Sequence, residues 1–258
     1  MRIPPAKNQT MRLFTTLFAF LLVCGTGLLA QAPTVETIVD NYLEAIGGAD
    51  SWRSLKSMKM SGEASMQGMT FPFTMITAEG DKMRQVVDVQ GQQMIQAYDG
   101  KDAWMVAPFM GMTEPTPMPK EQAAEMKEER FLPEFIDAEE RGFKIEAVEG
   151  KELEGTPTYG LRVTTEEGFD RTYYFDQEYF IPIMMASKVK EGPQAGTVME
   201  TYLSDYQEVE GIVVPMFMEV KVSGATMQKI SIKEAALNVE VNDEMFAMPK
   251  PAMKEDGQ

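Results

Sequence analysis

Hydrophobic positions at residues 35–46 recur at helical spacing. Val35, Ile38, Val39, Tyr42, Leu43 and Ile46 fall at i, i+3, i+4, i+7, i+8 and i+11, which is one apolar stripe on a helix. Thr34 is placed to cap it and Gly47-Gly48 to stop it. A short helical turn is expected at Ser51–Leu55. From residue 58 the period changes to two. Met58, Met60, Gly62, Ala64 and Met66 alternate with Lys59, Ser61, Glu63 and Ser65, the pattern of a half-buried strand. Gln67-Gly68 turns the chain, and Met69, Phe71, Phe73 and Met75 then share a face. Strands follow near 83–90, 93–98 and 102–107, separated by Gly80-Asp81, Gly91 and Asp99-Gly100. Short hairpins of this kind predict an antiparallel meander.

Residues 108–119, PFMGMTEPTPMP, hold four prolines and are excluded from any central strand. Residues 120–130, KEQAAEMKEER, favour helix, and a second helical piece is expected over Pro133–Arg141. Strands resume near 143–150, 158–165, 170–176, 180–190, 197–205, 212–222 and 227–239. In 212–222 the residues Ile212, Val214, Met216, Met218, Val220 and Val222 share one face. The glycine-bearing stretches at 149–155 and 206–212 are hairpin turns by composition. With no repeat and no long linker, one domain over 31–251 is expected, followed by a short polar tail at 252–258.

Roughly eleven or twelve predicted strands, many with one apolar face, have only the helix at 35–46 and the pieces at 120–141 to cover them. A tightly closed sheet would fill its interior with side chains. A partly curled sheet would need the helices as a lid and would keep an apolar hollow. Methionine bears on that choice: 21 of the 23 methionines lie beyond residue 30. Methionine suits surfaces that adapt to loosely shaped ligands, although it also replaces leucine in an ordinary core.

The N-terminal segment sets an expected compartment. Residues 12–30, RLFTTLFAFLLVCGTGLLA, carry one charge, an apolar run and then small residues, as a secretory signal peptide does. Residues 1–30 are expected to be removed after Ala30, leaving Gln31 first and the protein in the periplasm; Met11 is an equally good start. The run from Leu13 to Val23 is shorter than the ~20 residues a spanning helix needs; a retained anchor is the alternative. Cys24 is the one cysteine, and Val23 before it is too large for the usual acylation signal, so a lipoprotein is not expected. Without residues 1–30 the chain has no cysteine and no histidine, which removes disulfides and the Ser-His-Asp, Cys-His and zincin arrangements.

Charge narrows the partners. The chain carries 24 basic and 40 acidic residues; removing Arg2, Lys7 and Arg12 leaves 21 against 40, a net −19. Such a surface repels phosphate backbones, so nucleic acid is not an expected partner. The close carboxylates Asp137, Glu139 and Glu140, and Glu152 with Glu154, have the residue type of a glycosidase pair. Chance provides such pairs in so acidic a chain, and no enzyme is expected. No D-x-D-x-D-G calcium loop occurs, and no metal or cofactor is expected.

One stretch gathers apolar groups beside a turn. DGKDAWMVAPFMGMT, residues 99–113, places Trp104, Met105, Phe109, Met110 and Met112 together. Its Asp99-Gly100-Lys101, Trp104, Pro108-Phe109 and Thr113 resemble a strand–loop signature of the LolA family, the periplasmic lipoprotein carriers and lipoprotein-sorting proteins. The order of helix, meander and a final EMFAMPKP at 244–251 agrees, and the resemblance covers essentially all of 34–251. It implies a mainly β fold with a few helices: one strongly curved antiparallel sheet forming an unclosed half-barrel under a helical lid. It implies an apolar cavity for acyl chains, a monomer, acylated lipoproteins or another lipophilic ligand as partners, and an inner-membrane donor and outer-membrane acceptor. Trp104, Met105, Phe109, Met110 and Met112 are then expected at the cavity mouth. Phe71, Phe73, Met75, Met216 and Met218 are expected on its walls. The family's lid-holding arginine before a proline is replaced by Glu79 and Gly80, with Arg84 as the nearest substitute. The alternative reading is a non-transporting envelope sensor or interaction module on the same scaffold.

Overall fold

The Thr34 side chain accepts the Thr37 amide at 3.2 Å, and helix α1 runs Val35–Ala45, as its stripe predicts. The computed structural model describes residues 32–250 except 129, 166–167 and 190–194. The expected signal segment with Cys24 and the polar tail lie outside the described residues. Gly47, at φ +101°, ends the helical run and brings the chain against the turn at Glu210-Gly211. A Cβ there would lie 1.9 Å from the Gly211 carbonyl oxygen, so only glycine fits this approach. The Val213 amide donates to the Ile46 carbonyl at 3.1 Å. A second helix, α2, spans Ala49–Ser54.

The first half of the sheet comprises β1 (Ser57–Met66), β2 (Met69–Ala78), β3 (Lys82–Val89), β4 (Gln92–Tyr98), β5 (Ala103–Ala107) and β6 (Met112–Pro117). Helix α3 (Lys120–Glu128) and a turn-rich stretch, 131–143, follow. The second half comprises β7 (Lys144–Val148), β8 (Glu152–Leu153), β9 (Thr156–Thr164), β10 (Asp170–Asp176), β11 (Pro182–Lys188), β12 (Val198–Val209), β13 (Ile212–Val222) and β14 (Ala225–Leu237). Among the described residues these are fourteen strands, against eleven or twelve expected. The surplus is β8, a two-residue piece, and β6. The prolines of β6 do keep it out of the sheet's interior: it pairs with β5 alone and forms an edge, where a missing ladder N–H costs little.

All strands pair antiparallel in the order β6-β5-β4-β3-β2-β1-β14-β13-β12-β11-β10-β9-β7, with β8 beside β9. Two meanders therefore meet at the β1–β14 pair, and the sheet does not close into a barrel. Hairpin turns such as Gln67-Gly68, Glu210-Gly211 and Ser223-Gly224 have positive φ at both central residues, which matches the right-handed twist of the flanking strands. Curvature comes partly from bulges. One lies at Ser61/Gly62, where a Cβ on Gly62 would lie 2.0 Å from the Ser231 carbonyl oxygen; another lies at Val220/Lys221.

The core occupies the concave face. Ile38 and Tyr42 of α1, its C-cap Ile46, Trp52 of α2, and Phe131, Phe135 and Ile136 pack onto Phe73, Phe175, Ile212, Val214 and Met216. Tyr42 meets Phe135 and Phe175 edge-on, each with ring centroids 5.3 Å apart. Helix α3 covers the β4–β5 end, where Met126 joins Tyr98, Met105, Ala107 and Met118. The helical piece expected at Pro133–Arg141 is instead a run of turns. Asp137 takes φ +52° and Gly142 φ +71°, both outside the helical region. The Arg53 guanidinium holds the Asp137 carboxylate through Nε at 3.1 Å and Nη2 at 2.7 Å, and this pairing keeps Asp137 below the usual carboxylate range.

Candidate functional site: a cavity under the lid

Between the lid and the concave face lies a cavity of about 300 Å³. Six methionines line it: Met58 and Met60 on β1, Met75 on β2, Met83 on β3, Met185 on β11 and Met218 on β13. Strand alternation puts them there. Met60 faces Met75 across β1–β2, and Met58 faces Thr77, which in turn faces Met83. Ile46, Trp52, Phe131, Leu203, Val214 and Ile232 add further apolar wall. Methionine has three rotatable bonds and a polarisable sulfur, so this wall reshapes at little cost.

Polar groups sit at defined places on the wall. Towards β2 and β3 are Asp81, Lys82 and Arg130; towards β11–β13 are Tyr206 and, from the lid and β10, Tyr42 and Tyr173. The Tyr206 hydroxyl donates to the Pro182 carbonyl at 2.6 Å. That of Tyr173 donates to Glu134 Oε2 at 2.8 Å, while Arg171 Nη1 donates to Oε1 at 2.8 Å. Glu134 is thus a buried carboxylate whose charge is held by one cation and one hydroxyl. Burial, and then the Glu134 charge, push the Tyr42 and Tyr173 phenols far above their ordinary range.

The lid is fastened at the β2–β3 turn. Asp81 Oδ1 accepts the Phe131 amide at 3.0 Å, and Oδ2 pairs with Arg130 Nη1 at 3.3 Å. Arg84, the expected substitute for the missing arginine, lies opposite Ala97 on the convex face, away from the lid. Beside the fastening is a second, polar cleft of about 300 Å³, lined by Arg53, Glu79, Gly80 and Arg141 and sharing Asp81 and Phe131 with the cavity. Arg141 Nη1 donates to the carbonyls of Pro133 and Ile136 at 2.9 and 3.0 Å, and burial lowers its pKa.

The structure divides the expected site residues. Met75 and Met218 line the cavity. Phe73 and Met216 are in the core around it, with Phe71 packed half-buried against that core. Met105 and, half-buried, Met112 belong to the cluster under α3. Phe109 and Met110 occupy a 3-10 turn, Pro108–Met110, and are 48 % and 61 % exposed. Trp104, expected at the cavity mouth, lies on the convex face. It is opposite Ala97, which is opposite Arg84, one residue out of phase with the inward Met105. Its indole Nε1 donates to the Phe246 carbonyl at 2.7 Å, and Trp104 and Phe246 are both buried. The residues that sequence reasoning missed are Trp52, Met58, Met60, Met185 and Tyr42. The alternation of Met58 and Met60 and the helical stripe holding Tyr42 were visible; convergence of the five on one cavity depends on the β1–β14 junction.

No protein-family model matches the sequence, and no curated protein matches it. Solved structures do. A LolA superfamily protein from Nitrosomonas europaea is similar at TM-score 0.57 and 10 % identity, over 84 % of this chain and 98 % of that one. An outer membrane lipoprotein-sorting protein domain from Vibrio parahaemolyticus is similar at TM-score 0.55 and 9 % identity, over 81 % and 97 %. A DUF1329 family protein from Desulfovibrio piger is similar at TM-score 0.56 and 12 % identity, over 83 % and 97 %. An unclosed antiparallel sheet with lid helices over its concave face, matched along nearly the whole of these chains, is the LolA-like fold.

Proposed function

We propose that this chain is a periplasmic binding or carrier protein for lipoproteins or other acylated ligands, and that it holds acyl chains in the cavity under the lid. The carrying observation is the hollow itself: a methionine-lined space at the low end of the range of roughly 300–1,000 Å³ usual for small-ligand sites. The chemistry is binding, not catalysis: the buried Glu134 carboxylate behind the Tyr173 wall is spent on Arg171 and Tyr173. The lipoprotein-sorting name of the Vibrio parahaemolyticus structure agrees with this reading. Met75 and Met218, with Met58, Met60, Met185 and Trp52, are the proposed contacts with the acyl chain. Each buried methylene contributes about 0.8 kcal/mol, so a chain of ten or more carbons reaches micromolar affinity after ordering costs.

The test has two parts. Protein purified from its native envelope is extracted with organic solvent, and the extract is examined by mass spectrometry for acyl species. In parallel, displacement of an apolar dye by acyl chains of increasing length is measured for the parent and for Met218→Glu. Affinity rising with chain length, and lost in Met218→Glu, supports the reading. Affinity independent of chain length, with an extract free of lipid, overturns it.

A further inference from the structure

We propose that the Tyr42 hydroxyl is a hydrogen-bond donor to a neutral carbonyl carried by the ligand, so that the cavity selects acyl esters or amides over chains lacking that group. This deepens the carrier reading and rests on it.

Tyr42 is 7 % exposed, and its ring is clamped edge-on between Phe135 and Phe175. That clamp fixes where the hydroxyl points. Tyr42 lines the cavity, and among the described residues its hydroxyl has no hydrogen-bond partner. The two other tyrosines of the wall differ: Tyr173 spends its proton on Glu134 and Tyr206 spends its proton on Pro182. Nor is the Tyr42 hydroxyl among the polar atoms sealed in by protein; it opens onto the cavity. Phenylalanine would fill the same shape without the hydroxyl. The hydroxyl therefore presents a donor, uncommitted to the protein, to whatever the cavity holds.

The character of the acceptor follows from the neighbours. Burial and the Glu134 charge keep the Tyr42 phenol protonated, so it donates. The same negative charge, felt at the hydroxyl, disfavours a ligand carboxylate there. Tyr206, within electrostatic range of Tyr42, has no proton to offer. Of the basic residues at the wall, Arg130 lies towards β2 and β3 and pairs with Asp81, and the Lys82 ammonium reaches Asp243. A neutral ester or amide carbonyl is therefore the group that fits at Tyr42. A site built around a hydrogen bond discriminates against analogues that lack the partner.

The experiment uses the full chain and three probes: methyl dodecanoate, tetradecane, which has no acceptor, and dodecanoate, each displacing an apolar dye. The ester-to-alkane affinity ratio of the parent is expected to exceed that of Tyr42→Phe by about 3–10-fold, the worth of one net hydrogen bond, and the parent is expected to prefer the ester to the free acid. Tyr42→Phe is expected to bind the alkane at least as well as the parent does. A Tyr42→Phe variant with the parent's ester-to-alkane ratio, or a parent that prefers the free acid, overturns the inference and leaves the carrier reading standing. A parent that takes up none of the three probes overturns both. If circular dichroism shows that Tyr42→Phe does not fold, the infrared carbonyl stretch of methyl dodecanoate bound to the parent decides: a stretch lower than in alkane solvent supports the inference, and an unshifted one overturns it.

Discussion

Asp81 holds Phe131 by its backbone: the Oδ1 atom accepts the Phe131 amide at 3.0 Å. This contact ties the β2–β3 turn to the lid, and Arg130 Nη1 reinforces it from the lid side at 3.3 Å. The polarity is the reverse of the arginine-bearing turn that the family resemblance implies: here the turn carries the acid and the lid carries the base. Asp81→Ala is expected to cost about 1.5–3 kcal/mol, the range for a hydrogen bond to a charged acceptor. Hydrogen exchange at the Phe131 amide is the direct readout. Exchange as slow as in the parent would show that the lid is fastened elsewhere.

The two tryptophans lie on opposite sides of the sheet's first half. Trp52 lines the cavity and Trp104 is buried on the convex face. An acyl ligand is therefore expected to shift the emission of Trp104→Phe protein, which keeps Trp52, and to leave that of Trp52→Phe protein unchanged. The opposite pattern would place the ligand outside the cavity.

The C-terminal segment seals the convex face. Phe246 is 1 % exposed, the Asn242 side chain caps its turn by accepting the Met245 amide at 3.1 Å, and Lys82 Nζ reaches Asp243 Oδ1 at 2.6 Å. Phe246→Ala is expected to lower stability in urea by about 3–5 kcal/mol, as large-to-small core changes do, with dye affinity unchanged at low temperature. A drop in affinity equal to the drop in stability would mean that seal and cavity are one unit.

Alkaline titration reports the buried phenols. Tyr42, Tyr173 and Tyr206 are all raised above the ordinary value near 10, first by burial. Their protonated forms are favoured in the folded state. Stability is thus fully present below pH 10 and falls as pH rises above it, while the unfolded chain ionises and the folded chain does not. Each group contributes a slope of about 1.4 kcal/mol per pH unit. Tyr42→Phe should flatten the fall by one proton's worth. Unchanged stability between pH 9 and 11, measured by urea denaturation, would contradict this.

Removing one partner of the buried pair is costly. Arg171→Met leaves the Glu134 carboxylate inside the protein without its cation and is expected to cost about 3–5 kcal/mol. Pairing it with Glu134→Leu should recover much of the loss. A double variant no better than the single one would show that Arg171 acts through packing alone.

How far the sequence reached depends on the distance over which each feature is decided. The α1 stripe and the alternation in β1, β2 and β13 are local, so their inward residues were legible. The side of Trp104 was not. It is set by Phe246, 142 residues later, and by the phase of β5 against β4. The turns at 134–142 escaped because their composition favours helix, while Arg53, 84 residues earlier, holds Asp137 outside it. Tyr42 was legible as a core position. That it lines the cavity was not, because that needs the far wall.

The β1–β14 pair joins Met58 to Leu237, and this has a kinetic consequence. Each meander is assembled from neighbouring hairpins and can form as the chain emerges. The junction between them waits for the last strand to be made. Until then β1 presents an unpaired edge, a template for pairing with other chains, and contacts of such long sequence separation form slowly. The strand made first is thus zipped last. A newly made chain is most open to capture by proteases, folding factors or its own copies during the interval between finishing β6 and finishing β14.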